Sequence, residues 1–323
     1  MFRLVKLVPY FIVPVIIGLA TYFYLQDLFF HPRDANSTRT EIVQIQPEDT
    51  SEQICQLLLD RNIIRSAQSM CLFMSLRGIS SFVPGEYELS PVLTLSEIIE
   101  KFQNGDRLLR TVRFAAGSSI KEIDAVLTKE EIISQFAFEQ ITRTPDLLAR
   151  AGIAAGSFEG YLGFGDLTLS KPADLQALLW ELLLRAESKW QKEYTEQLEA
   201  LRMSRHEILT IASIIQKVTA EPRERRMVSA VLHNRLKLGL RLENFETLLY
   251  GSPNAEGLTA EQLKAVAGPY NTYMNYGLPP GPITNPDQDA IEAALFPLDT
   301  DAVQYERDGE RSIIFVSEET KNE

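Results

Sequence analysis

Residues Leu7 to Leu25, "LVPYFIVPVIIGLATYFYL", run for nineteen positions without a charge. A helix rises about 1.5 Å per residue, so this length matches the roughly 30 Å hydrocarbon core of a bilayer. The chain therefore begins, on its sequence, with a helix that spans a membrane. Arg3 and Lys6 precede the stretch, while Asp27 and Asp34 follow it. Positive charge stays on the cytoplasmic side, which sets the N-terminus in the cytoplasm and the bulk of the chain outside. Tyr10, Tyr22 and Tyr24 lie toward the ends, where aromatic rings favour the headgroup layer. A cleaved signal peptide would need a small-residue cleavage site, and "QDLFFHPRD" downstream offers none. The expectation is an uncleaved single-pass anchor in a cytoplasmic (inner) membrane.

The whole chain of 323 residues is 45% hydrophobic and 24% charged, an ordinary globular composition. Its net charge of -12 argues against nucleic acid as a partner, because a polyanion is held by a basic stripe that releases counterions. Cys55 and Cys71 sit in the apolar helical patterns "EQICQLLL" and "SMCLFMSL". They read first as two buried small hydrophobes; export leaves a bridge between consecutive helices open as the alternative. His31, His206 and His233 are scattered away from the cysteines, so neither a metal site nor any other cofactor is expected.

Five segments are expected. Residues 1–30 form the cytoplasmic tip and anchor, and the polar "HPRDANSTRT" of 31–40 is a linker. Residues 41–107 give a strand ("EIVQIQP"), two helices, a second strand ("PGEYELSP") and a capped helix ("TLSEIIEKFQNG"), a small α+β module whose pattern fits a LysM-like carbohydrate-binding unit. Residues 108–200 read as a strand and then a mainly helical connecting region, broken by "AAGSFEGYLGFGDLTLSKP" and ending in one helix, "DLQALLWELLLRAESKWQKEY", that bridges domains. In 201–323, "HEILTIASIIQKVT" sets Ile208, Ile211, Ala212, Ile215 and Val218 on one helical face. Pro222 opens a second helix that ends at Gly239. Glu224 and Arg235 are expected to form a helix-to-helix ion pair. Beyond lies an irregular stretch rich in Pro, Gly, Asn and Tyr, "GPYNTYMNYGLPPGPITNP". The fold class is α+β throughout the exported part.

The order "ASII" (212–215), Lys217, Thr219, "ER" (224–225), "NRL" (234–236), "RL" (241–242), Thr247, "YG" (250–251), "YNTY" (270–273), "GLPPGPI" (277–283) and "NP" (285–286) resembles the YceG-like endolytic murein transglycosylases. "GEY" (85–87) and "EGYL" (159–162) extend the likeness toward the N-terminus. The resemblance implies a membrane-anchored protein that acts on peptidoglycan glycan strands among wall-synthesis or division proteins, leaving 1,6-anhydro ends. It implies a catalytic-type α+β domain over 201–323 and one essential carboxyl. That group protonates the glycosidic oxygen and then takes a proton from the sugar's own C6 hydroxyl, whereas most glycosidases divide the work between two carboxylates.

In the family this stretch reads Glu-Lys-Glu-Thr, with the second glutamate as the acid; here it is Gln216-Lys217-Val218-Thr219. Val218 has no proton to give, and the Gln216 amide binds sugars without acting as an acid. Loss of general-acid catalysis, about 10²–10⁴-fold, is worth roughly 3–5 kcal/mol. The family's Gln-Thr-Asp-Pro after "RL" is Glu243-Asn244-Phe245-Glu246, its Phe-Pro-Asp-Thr after "EGYL" is "GFGD", and a late Gly-His-x-Phe is "SIIF" at 312–315. The sequence thus predicts a strand-binding protein with lost or weakened cleavage; the alternatives are an active lytic transglycosylase with a relocated carboxylate and a non-catalytic scaffold. Glu221, Glu243 and Glu246 stand as candidate relocated acids, and Asn271, Tyr273, Thr247, Pro280 and Asn285 as candidate substrate contacts.

Overall fold

The computed structural model describes residues 8–255, 257–308 and 312–317. It divides into two compact units, one of residues 1–110 with 168–172, the other of 111–167 with 173–323. Helix α1 (Val8–Phe30) forms where the anchor is expected. Arg3 and Lys6, which set its expected orientation, lie outside the described residues. Among those that are described, no helix is long and apolar enough to cross a membrane.

In the first unit, β1 (Glu41–Ile45), α2 (Ser51–Asp60), α3 (Ala67–Arg77) and β2 (Gly85–Leu89) follow in order, then α4 (Leu95–Asn104). β1 and β2 pair antiparallel with Val43 opposite Tyr87. Alternation turns Val43 and Ile45 inward, where they meet Leu58, Met70, Tyr87 and Phe102 in one buried cluster. Each helix starts for a local reason: Thr50 and Thr94 make reciprocal capping boxes with Gln53 and Glu97. Glu86 is buried, and its carboxylate is held by Arg110 at 2.7 Å and Lys171 at 3.3 Å. The end of α1 joins this core through Phe29, whose ring lies 4.7 Å from that of Phe73.

The cysteines correct the expectation of two free apolar thiols: Cys55 and Cys71 form a disulfide, with Cα atoms 6.3 Å apart. Packing α3 on α2 faces the two residues toward each other, which helical periodicity alone did not reveal. A bridge across a sequence separation of 16 contributes about 3 kcal/mol by restricting the unfolded chain. Cys55→Ala/Cys71→Ala is therefore expected to lower the urea midpoint of this unit by that equivalent. A midpoint unmoved by the double change or by reductant would mean that the bridge adds no stability.

The chain leaves the first unit along β3 (Leu109–Phe114), which pairs with β4 (Gly165–Ser170) in a second two-stranded sheet. Between them lie α5 (Ile120–Lys129), α6 (Ala137–Ile141) and α7 (Pro145–Arg150). β4 was not expected: "GDLTLS" is an alternating strand with Leu167 and Leu169 turned inward. The single bridging helix is also corrected. It is α8 (Leu175–Glu187) and α9 (Lys192–Leu201), both in the second unit. At the break the Ser188 hydroxyl bonds back to Arg185 O, and Trp190 stacks under Arg205 at 4.2 Å; these contacts hold the turn open without Pro or Gly.

α10 (Arg205–Val218) and α11 (Pro222–Lys237) follow, then α12 (Phe245–Gly251), α13 (Ala260–Ala265), α14 (Gln288–Leu295) and a final hairpin of β5 (Ala302–Asp308) and β6 (Ser312–Ser317). α10 is capped by Ser204 with Glu207, and its face of Ile208, Ile211, Ile215 and Val218 packs with Val228, Leu232 and Ala294. Glu224 and Arg235 both lie on α11, about 16 Å apart along it. That spacing rules out the expected pair. Arg235 instead bonds Glu243 at 3.0 Å and the carbonyls of Arg241, Leu242 and Val303, while Arg225 holds Asp287 at 2.7 Å.

Candidate active site

The irregular stretch 277–286 and the loop 157–163 build one site inside the second unit. Asn285 joins them. Its Oδ1 accepts from the N–H groups of Gly160 and Leu162 at 2.9 and 3.0 Å, and its Nδ2 donates to Ser118 O and Glu159 Oε1 at 2.8 and 3.2 Å. Gly117 N donates to Asn285 O at 3.1 Å, and Ile283 N donates to the buried Ser213 hydroxyl of α10 at 3.0 Å. Tyr161 Oη lies 2.8 Å from His206 Nδ1, and His206 Nε2 lies 3.0 Å from Pro280 O. A carbonyl only accepts, so Nε2 carries a hydrogen, and in the neutral ring Nδ1 takes that of Tyr161. "EGYL", "ASII", "GLPPGPI" and "NP" are thus hydrogen-bonded into a single frame.

The frame borders an open cavity of about 340 Å³, lined by Arg143, Glu159, His206, Tyr250, Tyr270 and residues 280–282. A second hollow of about 330 Å³ shares Arg143, Glu159 and Tyr250. The rings of Tyr250 and Tyr270 lie 4.9 Å apart and tilted. Glu159 is 3% exposed. Ile120 N–H donates to both of its oxygens at 3.1 Å, and Tyr250 Oη donates to Oε2, also at 3.1 Å. Burial pushes the Glu159 carboxyl up to about 8, against the downward pull of these donors. It is therefore protonated at neutral pH, the state a general acid needs. Burial, then the neighbouring Glu159, also raises Tyr250.

The residues singled out from sequence are dispersed. Val218 is 6% exposed within the apolar cluster of α10. Gln216 accepts from Asp287 N at 3.1 Å. Its side chain closes on Gly117, where an added Cβ would meet it at 3.0 Å. Glu221 is the exposed residue before Pro222 of α11. Glu243 is tied to Arg235, and Glu246 lies in the first turn of α12. Asn271 is 1% exposed and donates to Leu263 O and Val266 O; the Thr247 hydroxyl donates to Asn244 O. Tyr273 packs on the cluster of Leu248 and Leu263. Pro280 lines the cavity, and Asn285 touches Glu159 beneath it. Glu159, Tyr250, Tyr270, His206 and Arg143 were not foreseen, although three of them stand inside "EGYL", "YG" and "YNTY".

The model of the YceG-like family matches residues 43–321. The chain belongs to the YceG-like family. It is 25% identical over 301 residues to the endolytic murein transglycosylase of Bacillus subtilis (strain 168), covering 88% of this chain and 83% of that one. It is 24% identical over 326 residues to the protein of the same name from Streptococcus pneumoniae (strain D39), covering 90% of this chain but 58% of the longer relative. Among solved structures, a YceG-like protein of Listeria monocytogenes superposes with a TM-score of 0.58 at 26% identity, over 88% of this chain and 99% of that one. This chain joins its two loops at Asn285 and carries Gln216 and Val218 on α10.

Proposed function

We propose that this YceG-like chain binds the glycan strands of peptidoglycan at the cavity beside Glu159, outside the cytoplasmic membrane and anchored by residues 7–25. Its setting is wall assembly or division, with the LysM-like unit as a second contact to the wall. Cleavage through the family's acid position is lost, because Val218 has no ionisable hydrogen. One observation carries the reading: four family motifs meet around a cavity walled by Tyr250 and Tyr270, with Arg143 and His206 at its rim. Tilted rings offer apolar faces to a sugar, and the flanking polar groups orient it. The relatives named endolytic murein transglycosylase support the substrate class.

The test is binding of uncrosslinked glycan strands to the full chain in detergent, alone and as Tyr270→Ala. Removing one ring of such a wall costs about 1–2 kcal/mol, so affinity is expected to fall roughly 5- to 30-fold. Absent binding by the parent protein, or unchanged affinity in the variant, would remove the reading.

A further inference from the structure

Strand binding gives the buried Glu159 no task, yet its surroundings fix where its hydrogen must sit. Three groups point at the carboxyl: Ile120 N–H, Asn285 Nδ2 on Oε1, and Tyr250 Oη on Oε2. Amide groups only donate, whereas a phenol hydroxyl can turn and accept. When Glu159 is neutral, its hydrogen therefore lies on Oε2, directed at Tyr250 Oη. Tyr250 then presents its own hydrogen to the cavity that it lines. The other charged and titratable groups around the pair are Lys217 and Glu122, joined to each other at 3.1 Å, Arg143, His206 and Tyr270 on one side, and Lys121 and Glu139 in the adjoining hollow. Lys217 favours the Glu159 anion, Glu122 opposes it, and burial outweighs both to keep the carboxyl protonated until about pH 8.

We propose that Tyr250, backed by Glu159 as its proton reserve, is the proton donor and acceptor for a slow residual cleavage of glycan strands. This rests on the strand-binding reading above. Tyr250 Oη gives its hydrogen to the glycosidic oxygen as the bond from that oxygen to C1 breaks. In the same step Glu159 Oε2 passes its hydrogen to Tyr250 Oη, and the new carboxylate keeps Ile120 and Asn285 as donors and gains Tyr250 as a third. The sugar's C6 oxygen then bonds C1. Its hydrogen moves to Tyr250 Oη, and the hydrogen on Tyr250 returns to Glu159. One C–O bond is broken and one is formed, no water is consumed, and the carboxyl is restored. The carboxyl thus comes from the loop after α7 instead of from the end of α10.

The experiment incubates the full chain in detergent with uncrosslinked glycan strands, reads 1,6-anhydro ends by mass spectrometry, and measures strand binding in parallel. Parent, Glu159→Gln and Tyr250→Phe are compared, with thermal unfolding as a check of folding. The parent is expected to form anhydro ends slowly, at a rate that falls as pH rises through about 8. Both variants are expected to lose about 10²-fold or more of that rate at saturating strand. Should Glu159→Gln fail to fold, Tyr250→Phe carries the test, since it keeps the ring and the Ile120 and Asn285 bonds. Products that persist in the variants, or a parent rate indifferent to pH between 7 and 9, would overturn the proposal. Binding by the parent without any product would overturn it and leave the strand-binding reading standing. No binding at all would remove that reading and this proposal together.

Discussion

Val218→Glu lowers the unfolding free energy of this chain by about 2–4 kcal/mol, whereas Gln216→Glu changes it by less than about 1 kcal/mol. Val218 is 6% exposed and packs with Ile211, Ile215 and Val228. Exchanging its methyls for a carboxyl gives up apolar contact and buries a polar group. The residue also closes the last turn of α10, where the negative end of the helix disfavours an anion. A glutamate there is held protonated, with its folded pKa above the unfolded one. The penalty is then smallest at acid pH and grows as pH rises beyond the ordinary carboxylate range, where only the unfolded state has released the proton. Gln216 is only half-buried, and a carboxylate in its place still accepts from Asp287 N. Urea midpoints at two pH values decide the matter. Equal stability for Val218→Glu and parent would mean that position 218 is not packed as described.

Gly160→Ala is expected to cost more than about 3 kcal/mol and to abolish strand binding. Gly160 has φ +87, and a Cβ added there would fall 2.3 Å from Pro282 Cγ and 2.5 Å from its Cβ. A proline ring cannot swing aside, so the backbones must separate, in a conformation that non-glycine residues already resist. Separation removes the Gly160 N–H from Asn285 Oδ1 and, with it, the amide that steadies Glu159. Gly156→Ala is the control for stability: no atom lies within 4 Å of its added Cβ, and a shift within about 0.5 kcal/mol is expected. Thermal unfolding of the two variants tests this. A mild effect at Gly160 would mean that the loops do not meet as described.

What the sequence discloses here is what short-range physics controls. The capped starts of α2, α4 and α10, the Pro222 entry to α11 and the alternation of β1 are written in neighbouring residues. The motifs of the family were equally legible. β4 was missed because its alternation is embedded among glycines, and the break after α8 because Trp190 and Arg205 create it by tertiary stacking. Two of the candidate sugar contacts lie elsewhere than expected for a related reason. Asn271 and Thr247 have the chemistry of sugar contacts, but short polar side chains also compete for nearby carbonyls, and these two turn inward to do so. Glu221, Glu243 and Glu246 do not line the cavity beside Glu159. Glu159 reaches the cavity from a remote loop, and only the fold reveals that its carboxyl is buried beside a phenol.

The first unit contains residues 168–172 as well as everything up to 110, and this matters while the chain is being made. A polypeptide emerging N-terminus first has delivered β1 to α4 long before it delivers Lys171, one of the two cations that neutralise the buried Glu86. Until then Glu86 has Arg110 alone. Loop 157–163, with Glu159, must also be threaded out before the first unit can be finished. The two units therefore cannot mature strictly one after the other. Completion of the N-terminal unit waits on the arrival of a segment that lies beyond the first part of the site, so the fold ties a finished N-terminal unit to a chain that has already been synthesised past Glu159.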